Sequence, residues 1–89
     1  MDAKKVRDVL DLYRDRLTGM SIGQDDYPHG DYLSSQTQAL VHCHRMLCKM
    51  EGFIEEQRMD KVFRWLGFVQ GVLWSCGVFT LDELKDHNR

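Results

Sequence analysis

Apolar residues recur along the first part of this chain at steps of three and four, the spacing of one face of an α-helix. In residues 2–18 this spacing predicts an amphipathic helix, with Asp2 as its cap and Gly19 as its end. Charged residues fill the opposite face, so we expect the apolar stripe to face a core. The stripe consists of Val6, Val9, Leu10, Tyr13 and Leu17.

The same spacing predicts two further helices, from about Ser35 to Gln57 and from about Asp60 to Cys76. The second helix opens with Ser35 and Gln38 at capping-box spacing. Apolar residues that alternate by three and four in both helices are typical of two helices packed lengthwise. These seams are Leu40, Cys43, Leu47, Met50 and Ile54 in the second helix, and Val62, Leu66, Val69, Leu73 and Cys76 in the third.

A short last helix and one long loop complete the prediction. Thr80 and Glu83 form a capping box, and Phe79 and Leu84 have the spacing of a hydrophobic staple. Residues 19–33 combine three glycines with the only proline, which indicates a loop. The sequence therefore predicts an all-α single domain over residues 1–89. We expect a small helical bundle: a helical hairpin with an N-terminal helix and a short C-terminal helix.

The third predicted helix is apolar over more than one face. Large side chains extend well beyond its seam, and small residues occupy the remaining face, where another backbone could approach closely. An apolar excess on a small domain favours an interface, so we expect a homo-oligomer. The alternative is that the four helices enclose the third helix within one monomer. The large residues are Trp65, Phe68, Val72 and Trp74, and the last face is Arg64, Gly67, Gly71 and Ser75.

Composition narrows the classes of function. The formal charge of −2 at pH 7 provides no global attraction to nucleic acids. The apolar run from Trp65 to Phe79 falls short of the roughly 20 residues of a transmembrane helix, so we expect no membrane contact. Three cysteines and the absence of a secretory leader favour reduced thiols in a cytoplasm.

Two clusters contain residue types that bind metals or transfer protons. The segment HCHRMLC, residues 42–48, places His44 and Cys48 one helical turn apart but lacks the CxxC pairs of a four-ligand zinc site. The loop aspartates and His29 do not match an EF-hand, and they fit a solvated, turn-rich loop better. We therefore expect no metal, no cofactor and no catalytic residue.

Cations and aromatic residues suggest a ligand site. Arg45 and Lys49 share a helix face, and three more cations, Arg58, Lys61 and Arg64, continue around the hairpin turn. Arginine binds phosphate through a planar fork, and aromatic rings stack on bases. The alternative, in which these cations pair with carboxylates on exposed faces, remains open. The predicted ligand-binding residues, placed between subunits, are Arg45, Lys49, Arg64, Tyr13 and His44.

The C-terminal third, FRWLGFVQGVLWSCGVFTLDELKDHNR, resembles the end of small uncharacterised proteins of tailed bacteriophages. The resemblance is carried by WLGF at 65–68, QG at 70–71, TLDEL at 80–84 and HNR at 87–89. It implies a non-enzymatic accessory protein in the cytoplasm of an infected bacterium. Such a protein would act against host defence by binding a host protein or sequestering a nucleotide signal.

Two other functions stay open. One is a small nucleic-acid-binding regulator that uses residues 58–64 against phosphates. The other is a minor enzyme or metal protein that uses His42, His44 and Cys48.

Overall fold

The computed structural model describes all residues, 1–89, and contains four α-helices and no strand. This confirms the predicted all-α class, and the first three helices lie within two residues of their predicted bounds. None of the four has the combination of length and hydropathy that a transmembrane span requires. The helices are α1 (Ala3–Gly19), α2 (Gln36–Glu55), α3 (Met59–Ser75) and α4 (Leu81–His87).

The core lies between α1, α2 and α3. Helices α2 and α3 pack against each other as the predicted hairpin, and α1 packs on α2. All five residues of the α1 stripe and all five of the α2 seam are buried, as are four of the α3 seam; Cys76 is half-buried. Each fully buried Leu or Val contributes about 1.5–3 kcal/mol, so these stripes hold the bundle together.

The helix caps agree with the sequence prediction except at the start of α2. The Asp2 carboxylate accepts the Lys5 backbone N–H at 2.8 Å, and the α4 box of Thr80 and Glu83 is complete. At α2 the Ser35 hydroxyl accepts the Gln38 N–H at 3.2 Å, but the Gln38 side chain accepts from Ser34 instead of Ser35. The predicted box at α2 is therefore only half formed.

Three helices end in the same way, with one residue in the left-handed region. Gly77 closes α3 as predicted, with φ of 73°. The end of α1 differs from prediction, because Ser21 (φ 61°) adopts this conformation and Gly19 remains helical. Gln57 (φ 60°) does the same after α2. In each case the next N–H bonds a carbonyl five residues back, the pattern of a Schellman motif.

One face of α3 stays uncovered by the other helices. Phe68 exposes 57% of its surface, Trp74 51% and Phe63 40%. At Gly67 and Gly71 no atom lies within 4 Å of the position a Cβ would occupy. Within one chain the four helices therefore do not enclose α3.

Candidate functional site

The loop between α1 and α2 is held along α2 by the residues of the HCHRMLC segment. His44 Nδ1 lies 3.0 Å from the Ile22 carbonyl oxygen, so that nitrogen carries the donated proton. The Tyr27 backbone N–H donates to His42 Nδ1 at 3.3 Å. The Cys48 thiol donates to the Gln24 side chain at 3.1 Å. These side chains anchor a loop, and no three His, Cys, Asp or Glu residues of the chain form a group that could hold a metal ion.

An ion pair fixes the middle of this loop to α2. Lys49 Nζ lies 2.8 Å from one carboxylate oxygen of Asp26, and Arg45 Nε lies 3.7 Å from the other. The hydrogen bond from Lys49 lowers the pKa of Asp26, and the nearby charge of Arg45 adds to the effect. At Arg45 and Lys49 the structure thus shows the carboxylate pairing that was left open as the alternative.

A pocket of about 390 Å³ opens between the loop, α2 and α3. We call it the loop pocket. Its volume lies within the range of small-molecule sites, about 300–1,000 Å³. It combines cations, histidines and aromatic rings, with one carboxylate. The lining residues are Asp26, His29, His42, Met46, Lys49, Arg64, Trp65 and Phe68.

Arg64 differs from the other cation of the loop pocket. Lys49 is paired with Asp26, whereas no carboxylate lies within 4 Å of the Arg64 side chain and it makes no side-chain hydrogen bond. An unpaired guanidinium retains five N–H donors in a planar fork. The loop pocket therefore contains one cation with its full capacity to bind an anion.

The aromatic wall of the loop pocket is held in place from behind. The Trp65 ring packs edge-on against Phe53, with ring centroids 4.9 Å apart and an interplanar angle of 89°. Lys61 Nζ lies 4.4 Å from the Phe53 centroid and 5.3 Å from that of Trp65. Because these contacts fix its orientation, Trp65 presents a defined edge of the pocket, while Phe68 beside it remains largely exposed.

The five predicted ligand-binding residues do not lie together. Lys49 and Arg64 both line the loop pocket, and Arg45 reaches its edge through Asp26. His44 is only 4% exposed and lies beneath the loop, and Tyr13 is completely buried in the core. Neither of these two side chains lines the pocket.

Tyr13 belongs to a second polar cluster, which we call the polar node and which comprises Tyr13, Gln70, His87 and Asn88. The Tyr13 hydroxyl accepts from Gln70 Nε2 at 2.9 Å and lies 2.9 Å from His87 Nδ1. Gln70 and Asn88 exchange two hydrogen bonds of 2.7 and 3.1 Å. Burial raises the pKa of Tyr13 and lowers that of His87. No buried side-chain polar atom lacks a partner, so the node is structural.

The predicted ligand-binding residues omitted six of the eight residues that line the loop pocket. Asp26 and His29 were assigned to a solvated loop, His42 to a possible enzyme or metal site, Met46 to the apolar side of the second helix, and Trp65 and Phe68 to the apolar excess. No helical spacing relates the loop residues to α2, because a segment without regular structure has no periodicity to follow. The one signal in the sequence was opposite charge: Asp26 is acidic, and the α2 residues that it pairs with, Arg45 and Lys49, are cationic.

The buried thiol of Cys43 adds no reactive group. Cys43 is buried and its pKa is raised to about 12 by desolvation, so it stays protonated and unreactive at neutral pH.

Compared with known proteins, the chain matches no family model, no curated protein and no solved structure.

Proposed function

We propose that this chain is a non-enzymatic binding protein that takes a small phosphorylated ligand of the nucleotide class in the loop pocket. The observation that carries the proposal is the unpaired Arg64 beside the exposed ring of Phe68 in a cavity of about 390 Å³. The guanidinium would bind a phosphate through two parallel hydrogen bonds, and the ring would stack on a base.

The charge distribution around the loop pocket supports an anionic ligand. Lys49 would remain tethered to Asp26 and present its other N–H groups to the same phosphate. His29 and His42 border the cavity and can donate further hydrogen bonds. A single carboxylate faces these groups, so cations outnumber anions at the pocket wall.

We expect no catalysis because the side chains that could act as nucleophiles or bases are buried or already hold the fold together. Cys43 is buried with its pKa at about 12, and Cys48 donates to Gln24. His42 and His44 both hold the backbone of the loop. Side chains that anchor structure in this way favour sequestration of a ligand over its conversion.

The setting of the proposal is an accessory protein of a bacteriophage, acting in the host cytoplasm as a homo-oligomer against a defence signal. It is supported by the resemblance of residues 63–89 to phage proteins. A nucleotide signal is favoured over a host protein because the loop pocket is concave and of small-molecule size. The uncovered face of α3 supports the assembly.

The test is calorimetric titration of the purified chain with adenosine 5′-monophosphate, linear and cyclic dinucleotides, and adenosine as the uncharged comparison. We expect heat of binding with the phosphorylated compounds and none with adenosine. Arg64→Gln should weaken binding at least about tenfold, the loss of a charge-assisted pair. It should leave the thermal unfolding midpoint unchanged, because Arg64 has no partner within the chain.

Arg58→Gln is the matched control, since Arg58 lies on the same side of the hairpin but outside the loop pocket. Its guanidinium packs over the Phe53 ring, 5.1 Å from the centroid. Equal losses in both variants would show that only general charge matters. If no phosphorylated compound produces heat, the proposed function is wrong.

A second candidate, binding of nucleic acid, is favoured by one observation. Arg58, Lys61 and Arg64 line a single polar recess at the turn between α2 and α3. Three cations on one exposed strip can follow a phosphate backbone. This candidate predicts that single-stranded DNA or RNA binds at low salt, that affinity falls steeply with salt, and that Arg58→Gln and Arg64→Gln weaken it equally.

A further inference from the structure

The uncovered face of α3 has a definite arrangement of large and small residues. Gly67 and Gly71 form its midline, one turn apart, and nothing in the chain approaches either of them within 4 Å of a Cβ position. Phe63 and Trp74 flank this midline on one side, and Arg64 and Phe68 flank it on the other, from the positions of about 100° per residue in an α-helix. The face is thus a shallow groove between aromatic walls.

We infer that this face pairs with the same face of a second copy, with the two α3 helices antiparallel about a two-fold axis midway between Gly67 and Gly71. In this register each Gly67 lies opposite Gly71 of the second copy. The backbones can then approach to the short end of helix spacings, about 8 Å. A large side chain at either position would hold the two backbones apart.

The same register matches aromatic residues with one another. A two-fold axis keeps each flank of one helix facing the same flank of the other. Phe63 of each copy therefore lies level with Trp74 of the other copy, within about one residue rise, and the two Phe68 rings meet beside the axis. Aromatic pairs of this kind contribute about 0.5–1.5 kcal/mol beyond their area. The face is therefore complementary to itself.

The charges of α3 itself do not oppose this pairing. On this face of α3 the ionisable residues are Arg64 and Asp60, and the antiparallel arrangement separates the two Arg64 side chains by about ten residue positions, or roughly 15 Å along the axis. Each Arg64 instead lies near Ser75 of the other copy. Helix α4 borders the face at Trp74 with charges of both signs, from Lys85, Asp82 and Glu83.

The exposed aromatic rings alone supply about half of the smallest area that a stable interface buries. Phe63, Phe68 and Trp74 expose 40–57% of their surfaces, and Leu81, which borders Trp74, exposes 51%. With about 150–250 Å² for each aromatic side chain, the three rings on two copies supply roughly 600 Å². Leu81, Arg64 and Ser75 extend the contact towards the 1,200–2,000 Å² of a stable interface.

Pairing would also complete the proposed ligand site, and in this respect the inference rests on the proposed function. Phe68 belongs both to the wall of the loop pocket and to the α3 face. A second copy packed on Phe68 would close the exposed side of the pocket beside Arg64. A stacked base would then lie between two copies of the chain.

The experiment measures mass by sedimentation equilibrium over a wide range of concentrations of the full chain. We expect a species of twice the chain mass of 10.5 kDa that dissociates on dilution. Gly71→Gln should weaken pairing at least about tenfold, because a long side chain separates the helices. The same variant should unfold at a higher temperature as a monomer, since glycine is a poor helix residue and the site is open.

Gly52→Gln is the matched control. Gly52 lies exposed on α2 with nothing within 4 Å of its Cβ position, away from the α3 face. It should gain the same thermal stability and leave pairing intact. A chain that is monomeric at all concentrations overturns the inference, and so does a dimer that survives Gly71→Gln. A chain that pairs but binds no phosphorylated compound supports the pairing and counts against the proposed function alone.

Discussion

The loop pocket and the polar node both combine an aromatic ring with histidine and other polar side chains, but their polar groups are in opposite states. The node joins the buried Tyr13 and Gln70 to the half-buried His87 through hydrogen bonds of 2.9 Å at the edge of the core, and all its buried polar atoms are satisfied. The loop pocket contains an unpaired Arg64 and an exposed Phe68 at the surface. Residue type alone therefore does not distinguish a structural cluster from a binding site.

What distinguishes the two regions is whether the polar groups are already paired. Leaving a buried polar group without a partner costs about 1–3 kcal/mol, so a fold keeps its interior networks complete. An exposed cation is hydrated and can exchange water for a ligand at little cost. We therefore expect substitutions in the node to change stability and substitutions at Arg64 to change binding.

The largest expected effect is the loss of Tyr13. Tyr13→Ala removes a fully buried aromatic residue, and we expect the free energy of unfolding to fall by about 3–5 kcal/mol, measured by urea denaturation. Tyr13→Phe should cost about 1–3 kcal/mol, because His87 and Gln70 lose their shared partner. Ligand affinity of the folded Tyr13→Phe protein should stay unchanged.

Tyr32→Ala is the control for this prediction, since Tyr32 is fully exposed in the loop. Its effect on unfolding should stay within about 0.5 kcal/mol. A neutral Tyr13→Phe would mean that the node hydroxyl is dispensable, and the contrast between the two regions would then lose its energetic basis.

The parts of the fold that sequence predicted correctly are those with a period. The α1 stripe, from Val6 to Leu17, and the α2 seam, from Leu40 to Ile54, are buried as predicted because a helix repeats its faces every 3.6 residues. The α4 capping box formed for a similar reason, since Thr80 and Glu83 interact over three residues. Local and periodic signals need no knowledge of the rest of the chain.

The candidate site depended on contacts between distant parts of the sequence, and there the prediction was incomplete. Lys49 and Arg64, which the prediction grouped, both line the loop pocket because the hairpin turn relates them. Tyr13 was grouped with them although it already belonged to the predicted core stripe. Gln70 gave no signal of its buried role, because its hydrogen-bond partners Tyr13 and Asn88 come from α1 and from the end of α4.

Acid pH should weaken the polar node. Burial lowers the pKa of His87 below its usual 6.5, while Glu83 opposes the shift and Lys5 adds to it. The unfolded chain therefore binds the proton more readily than the folded one. The contribution of His87 to the free energy of unfolding should be present in full above about pH 6.5. It should be lost as the pH drops through the folded-state pKa.

This loss has a structural cause and a direct control. A protonated His87 would direct an Nδ1–H at the Tyr13 hydroxyl, which already accepts from Gln70, and the hydroxyl hydrogen would lose its acceptor. Urea denaturation between pH 7 and pH 5 measures the effect. In His87→Gln the slope between these pH values should be shallower than in the natural chain; an identical slope would assign the dependence to other histidines.

The smallest expected change in stability comes from Asp26→Asn, which tests the loop pocket from the opposite direction. Asp26 is exposed, so its pairs with Lys49 and Arg45 contribute little to folding, and backbone contacts to His42 and His44 still hold the loop. Removing its charge frees Lys49 and eliminates the one carboxylate facing a bound phosphate. We expect affinity for adenosine 5′-monophosphate to rise on the order of fivefold, from the loss of one like charge at contact distance in water. A gain from Asp26→Asn together with a loss from Arg64→Gln would locate the phosphate between these side chains, whereas weaker binding in Asp26→Asn would mean that the ion pair builds the site instead of competing for it.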